Sequence, residues 1–491
     1  MEDTKTENLI EDIYPLSPMQ QGMLFQCVLS PESTMYVSQM SCVLFADFDP
    51  APFEHAWQQI IDRHSIFRTG FFWEGLDDPI QVVSRQVKVK LTQHDWRSFS
   101  SSDQTERRDA FINADRLRNF DLSEAPLLRL SLCRVSTEEY WFVWTCHHLL
   151  LDGWSETLLF AELAAFYEAL HRGESLQLPA ACSYGQYIAW LQQQEMLEAE
   201  KFWRQLLKGF HWATPPMLEA PADGGSVRQE AASLECKLSV ADTAALSASA
   251  RAAGLTLSTL VHGAWALLLS LNAGVQDVVF GTAVSGRPPS LAGVETAVGL
   301  FINTLPVRTR VMPDASLISW LRELQDQQAE ARQYEYSPLV QVQGWSDVPR
   351  GARLFETLLV FQNTPLKGNA PEQPERSGRL RAREIRSHDG WTDYLSVDVR
   401  PGPALTIIMS FDSLRYASER CRQLLVDLET LLVAFAASPE KNLGELQEII
   451  GGARKSRRVE KGRELAAASL QKLKHSKRKI VRGVSVSKGV L

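Results

Sequence analysis

The sequence predicts an α/β (α+β) chain folded as two lobes, and three observations carry that expectation. Strand signals of period two alternate with helical apolar spacing along the body of the chain. A strand–loop–helix passage at residues 140–172 recurs in outline at residues 405–435, which hints at two copies of one unit. The chain has 491 residues, 45% hydrophobic and 22% charged. That is several times the length of about 150 residues that one core organises, and it excludes a disordered or fibrous protein.

The elements follow in order. Residues 40–48 are rich in β-formers, and residues 53–64 place Phe53, Ala56, Trp57, Ile60 and Ile61 at helical spacing. Residues 126–134 and 140–146 read as strands joined by the polar turn Ser136-Thr137-Glu138-Glu139. A helix over 155–172 keeps Leu158, Leu159, Leu163, Phe166 and Leu170 on one face and stops at Gly173, and a single long helix is expected over 183–207. Pro215, Pro216, Pro221, Gly224 and Gly225 make residues 209–230 the densest cluster of breakers in the body, so a lobe boundary is expected near here. Helices at 241–252 and 259–271, strands at 278–284, 304–310, 354–361 and 405–411, and a helix at 419–435 complete the second part. The expected division is an N-terminal lobe over 1–180, a C-terminal lobe over 181–450 and a basic tail or linker over 451–491, with a short helix around 464–474.

Charge is unevenly spread. The net charge is −8, yet residues 451–491 carry +11 and the body −19. An acidic body argues against nucleic-acid binding, and the longest apolar run, residues 259–271, is too short for a membrane span and contains His262. Seven dispersed cysteines without a C-x-x-C pair point to neither a disulfide framework nor a zinc ribbon. With no basic-then-apolar start, a cytoplasmic location is expected.

The segment that carries chemistry is Thr145-Cys146-His147-His148-Leu149-Leu150-Leu151-Asp152-Gly153-Trp154-Ser155, where an apolar strand ends and a helix begins. The strand fixes the backbone, and the helix N-terminus offers unpaired N–H groups. Neighbouring strand residues face opposite sides, so His147 and His148 cannot both enter one pocket. An imidazole there accepts a proton from an attacking amine or orients it; Asp152 can pair with an arginine, and the Gly153 N–H can face a developing oxyanion. A satisfied core histidine and a zinc ligand are the competing readings, the latter lacking a third ligand nearby in sequence. Periodicity does not choose among them.

The segment resembles the H-H-x-x-x-D-G motif of condensation domains of nonribosomal peptide synthetases, relatives of chloramphenicol acetyltransferase. Four further stretches resemble that family in the right order: Tyr14-Pro15-Leu16-Ser17-Pro18-Met19-Gln20 through Phe25, Arg63-His64-Ser65-Ile66-Phe67-Arg68-Thr69, Tyr184-Gly185-Gln186-Tyr187 through Trp190, and Val298-Gly299-Leu300-Phe301-Ile302-Asn303-Thr304 through Arg308. The resemblance implies two chloramphenicol-acetyltransferase-like lobes in a V-shaped pseudodimer with a central channel. It implies an amide-forming acyltransferase of secondary-metabolite and antibiotic biosynthesis: the amine of an acceptor aminoacyl-carrier thioester attacks a donor peptidyl-carrier thioester.

By motif position His148 is the catalytic residue. His147, Asp152, Gly153, Trp154 and Ser155 shape the loop; Arg287 is the first candidate partner of Asp152 and Arg68 the second, and Asn303 is a structural hydrogen-bonder. No metal or cofactor is expected within the chain. Phosphopantetheine arrives on donor and acceptor peptidyl carrier proteins of neighbouring synthetase modules, and no nucleic-acid or membrane partner is expected. The first motif looks more like that of members accepting a donor with a D-configured residue, although Gln26 departs from the histidine frequent there. A stand-alone acyltransferase on soluble thioesters and a non-catalytic recruitment platform are the alternatives. Asp223-Gly224-Gly225-Ser226 resembles a carrier attachment site only superficially, since no apolar helix pattern follows.

Overall fold

The structure, a computed structural model, describes residues 9–45, 47–217, 231–362, 380–388 and 394–483, without the side chains of 231, 388 and 464–483. The first part runs β1 (Ile10–Pro15), α1 (Pro18–Leu29), β2 (Val37–Phe45), α2 (Pro50–Arg63), β3 (Thr69–Phe72), β4 (Ile80–Ser84), β5 (Leu91–Asp95), α3 (Ser101–Leu117), β6 (Leu128–Arg134), β7 (Tyr140–His147) and α4 (Gly153–His171). Two linking helices follow, α5 (Tyr184–Gln192) and α6 (Met196–Leu207). The second part runs β8 (Ala231–Lys237), α7 (Val240–Ala252), α8 (Leu257–Ala273), β9 (Asp277–Val284), β10 (Asn303–Arg310), α9 (Leu317–Ala331), α10 (Leu339–Trp345), β11 (Thr357–Phe361), β12 (Arg381–His388), β13 (Leu395–Arg400), β14 (Thr406–Asp412), α11 (Ser418–Ala437) and α12 (Leu443–Gly483). Local chemistry starts the helices: Pro18 at the first turn of α1 follows a Ser17–Gln20 capping box, and Asp49 and Asp152 cap α2 and α4.

Two large sheets organise the molecule, in the orders β12-β2-β7-β6-β5 and β10-β9-β11-β13-β14-β8, beside a small β1-β4-β3 sheet. The hinted duplication is visible in them. In the first, β2 pairs antiparallel with β7, β7 antiparallel with β6, and β6 parallel with β5. In the second, β8 pairs antiparallel with β14, β14 antiparallel with β13, and β13 parallel with β11. Each copy then places a helix on its sheet, α4 after β7 and α11 after β14. Even the register agrees, because His147 pairs with Val37 and Asp412 with Ala231, and the N-cap follows five positions later, at Asp152 and at Ala417. Ser413 therefore stands where the first copy has His148. The result is a mixed α/β architecture with open sheets, as the sequence predicts.

The chain crosses between the copies. Strand β12 adds to the first sheet beside β2, and Val294, Ala297, Val298, Leu300 and Phe301 pack into the first apolar core with Tyr184 and Tyr187 of α5. Helix α6 buries Ala199, Trp203 and Leu207 against the second sheet with Val279 and Phe355. This explains one departure from expectation: residues 183–207 form two helices, not one, because α5 and α6 bury their apolar faces in different cores. A second departure is the tail. Residues 451–483 continue α12, well beyond the short helix expected at 464–474; Ile450 enters the second core, and Arg454 and Arg457 converge on the fully buried Asp427 of α11. Residues 218–230, with much of the breaker cluster and Asp223–Ser226, lie outside the described residues.

Sequence patterning misses β1, β3, β4, β8 and β13 as well as the edge strands β5 and β12. In these edge strands the outward residues, such as Thr92, Gln93 and His94 or Arg383 and Glu384, are exposed and give no apolar alternation.

Candidate active site at the seam of the two lobes

Strand β7 ends at His147, and the two histidines part there. His147 is buried; its Nδ1 accepts the Leu149 N–H at 3.2 Å, and its Nε2 lies 3.7 Å from Cys27 Sγ. Burial pushes this imidazole down to about 3, with His148 adding to the shift, so it stays neutral. His148 leaves the sheet with its backbone N–H on the Tyr36 carbonyl at 2.7 Å, and its Nδ1 is 2.6 Å from the Leu151 carbonyl oxygen. A carbonyl only accepts, so Nδ1 carries the proton. Nε2 is then the ring nitrogen free of that bond, and His148 lines the channel between the lobes.

Asp152 turns the chain into α4. One carboxylate oxygen accepts the Ser155 N–H at 2.7 Å and the other the Phe301 N–H at 2.9 Å, while the Asp152 N–H donates to Gly299 O. Arg287 reaches the same buried pair, 3.4 Å from Asp152 and 2.7 Å from Ser155 Oγ, and also donates to the Ala297 carbonyl at 2.8 Å. Its guanidinium lies 4.1 Å from the Phe301 ring centre and 5.0 Å from that of Trp154. Burial pulls Arg287 below its ordinary value and Asp152 pushes it back. Gly286 is required beside it: φ is +59°, and a Cβ would fall 1.8 Å from the Phe301 carbonyl oxygen. Thus the loop bearing His148, which belongs to the first copy, is held from the second half of the chain.

The other sequence-identified residues lie as follows. Trp154 donates from Nε1 to Glu295 O at 3.1 Å, and Gly153 opens on the channel. Asn303 clamps the carbonyls of Glu335 and Ser337 at 2.7 and 2.8 Å, at the start of β10. Arg68 is elsewhere, bonded to Glu11 and to the carbonyls of Ile61 and Ser84, and takes no part with Asp152.

Three residues of the site are not evident from sequence. Gln20 of α1 is fully buried and donates to Leu149 O at 3.1 Å, one residue beyond His148, while Gln81 braces Gln20 at 3.0 Å. The first motif is visible in the sequence, but its contact across 129 positions is not. Glu335 lines the channel, and burial pushes its carboxyl up to about 7, with Arg332 opposing. His262 also lines it, held between Ser258 O at 2.7 Å and Thr282 Oγ1 at 2.8 Å, and burial lowers it to about 4. Its place in an apolar run gives no sign of this. Among the described residues no group of three His, Cys, Asp or Glu side chains could hold a metal ion.

The channel is a cavity of 3980 Å³ bounded by both lobes, with His148 and Gly153 on one side and Thr282, Ser285 and Glu335 on the other. That is several times the roughly 300–1,000 Å³ of a site for one small molecule.

The family described as condensation domain matches residues 10–451. A linear gramicidin synthase of Brevibacillus parabrevis is 41% identical over 444 residues, which are 90% of this chain and 9% of that protein. The chain thus spans about a tenth of such a relative. Among solved structures, the starter condensation domain of rhizomide synthetase matches with a TM-score of 0.73 at 21% identity, covering 90% of this chain and 98% of that one. A four-domain nonribosomal peptide synthetase bound to AMP and glycine matches at 0.73 and 18% identity, over 89% of this chain and 34% of that one.

Proposed function

The chain belongs to the condensation-domain family, and we propose that it joins an acceptor amine to a donor thioester, making one amide bond in nonribosomal peptide assembly. The observation that carries this reading is the His148 ring, whose proton sits on Nδ1 against Leu151 O and whose Nε2 opens on a channel between two lobes. The amine nitrogen attacks the thioester carbonyl carbon, the C–S bond breaks, and the thiol leaves with the proton the amine gives up. An α-amine has a pKa near 8, so a strong base is not needed, and Nε2 acts mainly by accepting the amine N–H and orienting its lone pair. The Gly153 N–H, at the exposed start of α4, faces the oxyanion of the tetrahedral intermediate. His147, Asp152, Trp154, Ser155, Arg287 and Asn303 hold the loop and its seam.

Both reactants are read as arriving on phosphopantetheine arms of peptidyl carrier proteins, from modules that adjoin the domain. The size of the channel supports two arms at once, and exposed Phe25, Val28 and Val340 on its rim offer apolar contact to a carrier. The first motif supports a donor ending in a D-configured residue. A cytoplasmic setting suits this chemistry; among the described residues no single helix is long and apolar enough to cross a membrane.

The test uses two loaded carriers and mass spectrometry of the product. His148→Ala is expected to lower amide formation by about 10²–10⁴-fold with an unchanged fold, the range of a lost proton-handling group. A variant as active as the parent removes His148 from the mechanism. A matrix of D- and L-terminal donors reads the stereochemical preference, and equal rates exclude the D-donor reading. Turnover of soluble thioesters as fast as carrier-bound ones would favour the stand-alone acyltransferase, and no turnover of either would favour the recruitment platform.

A further inference from the structure

Glu335 stands across the channel from His148, and its backbone is fixed there. The Asn303 amide donates to the Glu335 carbonyl at 2.7 Å and to the Ser337 carbonyl at 2.8 Å. Asn303 lies two residues beyond Phe301, whose N–H holds Asp152 on the His148 loop, so Glu335 is tied to that loop through the start of β10. The carboxylate itself is left open. It is half-buried, and among the described residues no hydrogen bond or ion pair reaches it. The titratable groups around it are Arg332, from the turn after α9, which also acts on His262, and Tyr187 of α5, whose phenol burial and then Glu335 push up, so that it stays neutral. Burial outweighs Arg332 and raises the Glu335 carboxyl to about 7.

Reaction chemistry decides what such a carboxylate meets. A nearby cation favours its charged form, and of the two reactants only the acceptor brings a cation to the reacting point. The donor presents a neutral thioester there, whereas an α-amine with a pKa near 8 is about nine-tenths ammonium at pH 7. An ammonium has no lone pair and cannot attack. We propose that Glu335 receives the acceptor's α-ammonium and takes one proton from it, so that the amine reaches His148 neutral. This rests on the amide-forming reading above. The ammonium gives one proton to the Glu335 carboxylate, the free amine attacks the thioester carbon, and the proton that the nitrogen then sheds leaves with the thiol as the C–S bond breaks. Glu335 returns its own proton to water. With the carboxyl near 7 and the amine near 8, that exchange runs readily in both directions.

The test compares the parent with Glu335→Gln, using an aminoacyl carrier that the parent accepts and, as control, an aminooxyacetyl carrier, whose nitrogen is already neutral at pH 7. The ratio of their kcat/KM values cancels every group that titrates in both. For the aminoacyl acceptor the ratio should be about fivefold in favour of the parent at pH 7 and under about twofold at pH 9, where the amine is neutral by itself. For the aminooxyacetyl acceptor it should stay under about twofold at pH 7, because there is no proton to take. Equal losses at both pH values or with both acceptors would mark a structural role and overturn the assignment, as would no loss at all. Should the variant misfold, binding to the parent decides. A non-hydrolysable glycyl-pantetheine amide should bind about tenfold tighter than its acetyl analogue at pH 7.5, in the range of a hydrogen bond to a charged group, and lose that advantage at pH 5 and at pH 9.5. Equal affinities at all three pH values overturn the proposal. This measurement needs no donor, so a parent that prefers the amine yet makes no amide would count against amide formation and not against Glu335.

Discussion

Two adjacent imidazoles acquire opposite chemistries because the strand ends between them. His147 keeps the strand's alternation, is buried and remains neutral far below physiological pH. His148 leaves it, and one hydrogen bond to Leu151 O fixes which nitrogen is bare. At the same scale Glu335 makes a pH-dependent prediction. Its folded-state value, about 7, lies above the unfolded value of about 4.3, so the folded protein binds more protons between them and stability falls as pH rises through that window. Glu335→Gln should therefore raise the melting temperature relative to the parent at pH 8 and leave it nearly unchanged at pH 4, which differential scanning fluorimetry across pH checks.

Among the elements, α12 shows how charge and packing combine. A helix this basic is solvated by itself, yet its first turns bury Leu443, Leu446 and Ile450, and two arginines then meet Asp427, a carboxylate with no exposed surface. Asp427 is bound from α12 by Arg454 Nε at 2.6 Å and by Arg457. Asp427→Ala is expected to cost about 1.5–3 kcal/mol, the range of a lost hydrogen bond to a charged group. Hydrogen exchange should show the loss locally, as faster exchange in residues 451–461 with the β2–β7 ladder unchanged. Uniform acceleration throughout the molecule would place the role of Asp427 elsewhere.

For the whole molecule, the duplicated sheets leave one histidine-bearing corner rather than two. The second copy has Ser413 and Ala417 where the first has His148 and Asp152, so it supplies neither imidazole nor capping carboxylate. What it contributes is the wall of the channel and Arg287. That guanidinium joins residues 135 positions apart in the chain and is buried with its partner. Arg287→Ala should cost about 3–5 kcal/mol, because it leaves the Asp152 charge buried and uncompensated. Denaturant unfolding measures that cost, and amide formation should fall with it even under conditions where the variant remains folded.

The alternation of strands and helices, the recurrence of one strand–loop–helix passage and the segment from His147 to Ser155 were legible in the sequence, because each is a local pattern of period, turn chemistry or residue type. Tertiary structure alone decided that Arg287 rather than Arg68 meets Asp152, that Gln20 holds Leu149, that β12 joins the first sheet and that residues 451–461 continue a helix docked on α11. These depend on contacts between distant parts of the chain, and neither hydrophobic period nor residue type encodes which partner a buried charge or amide will meet once the two cores have closed.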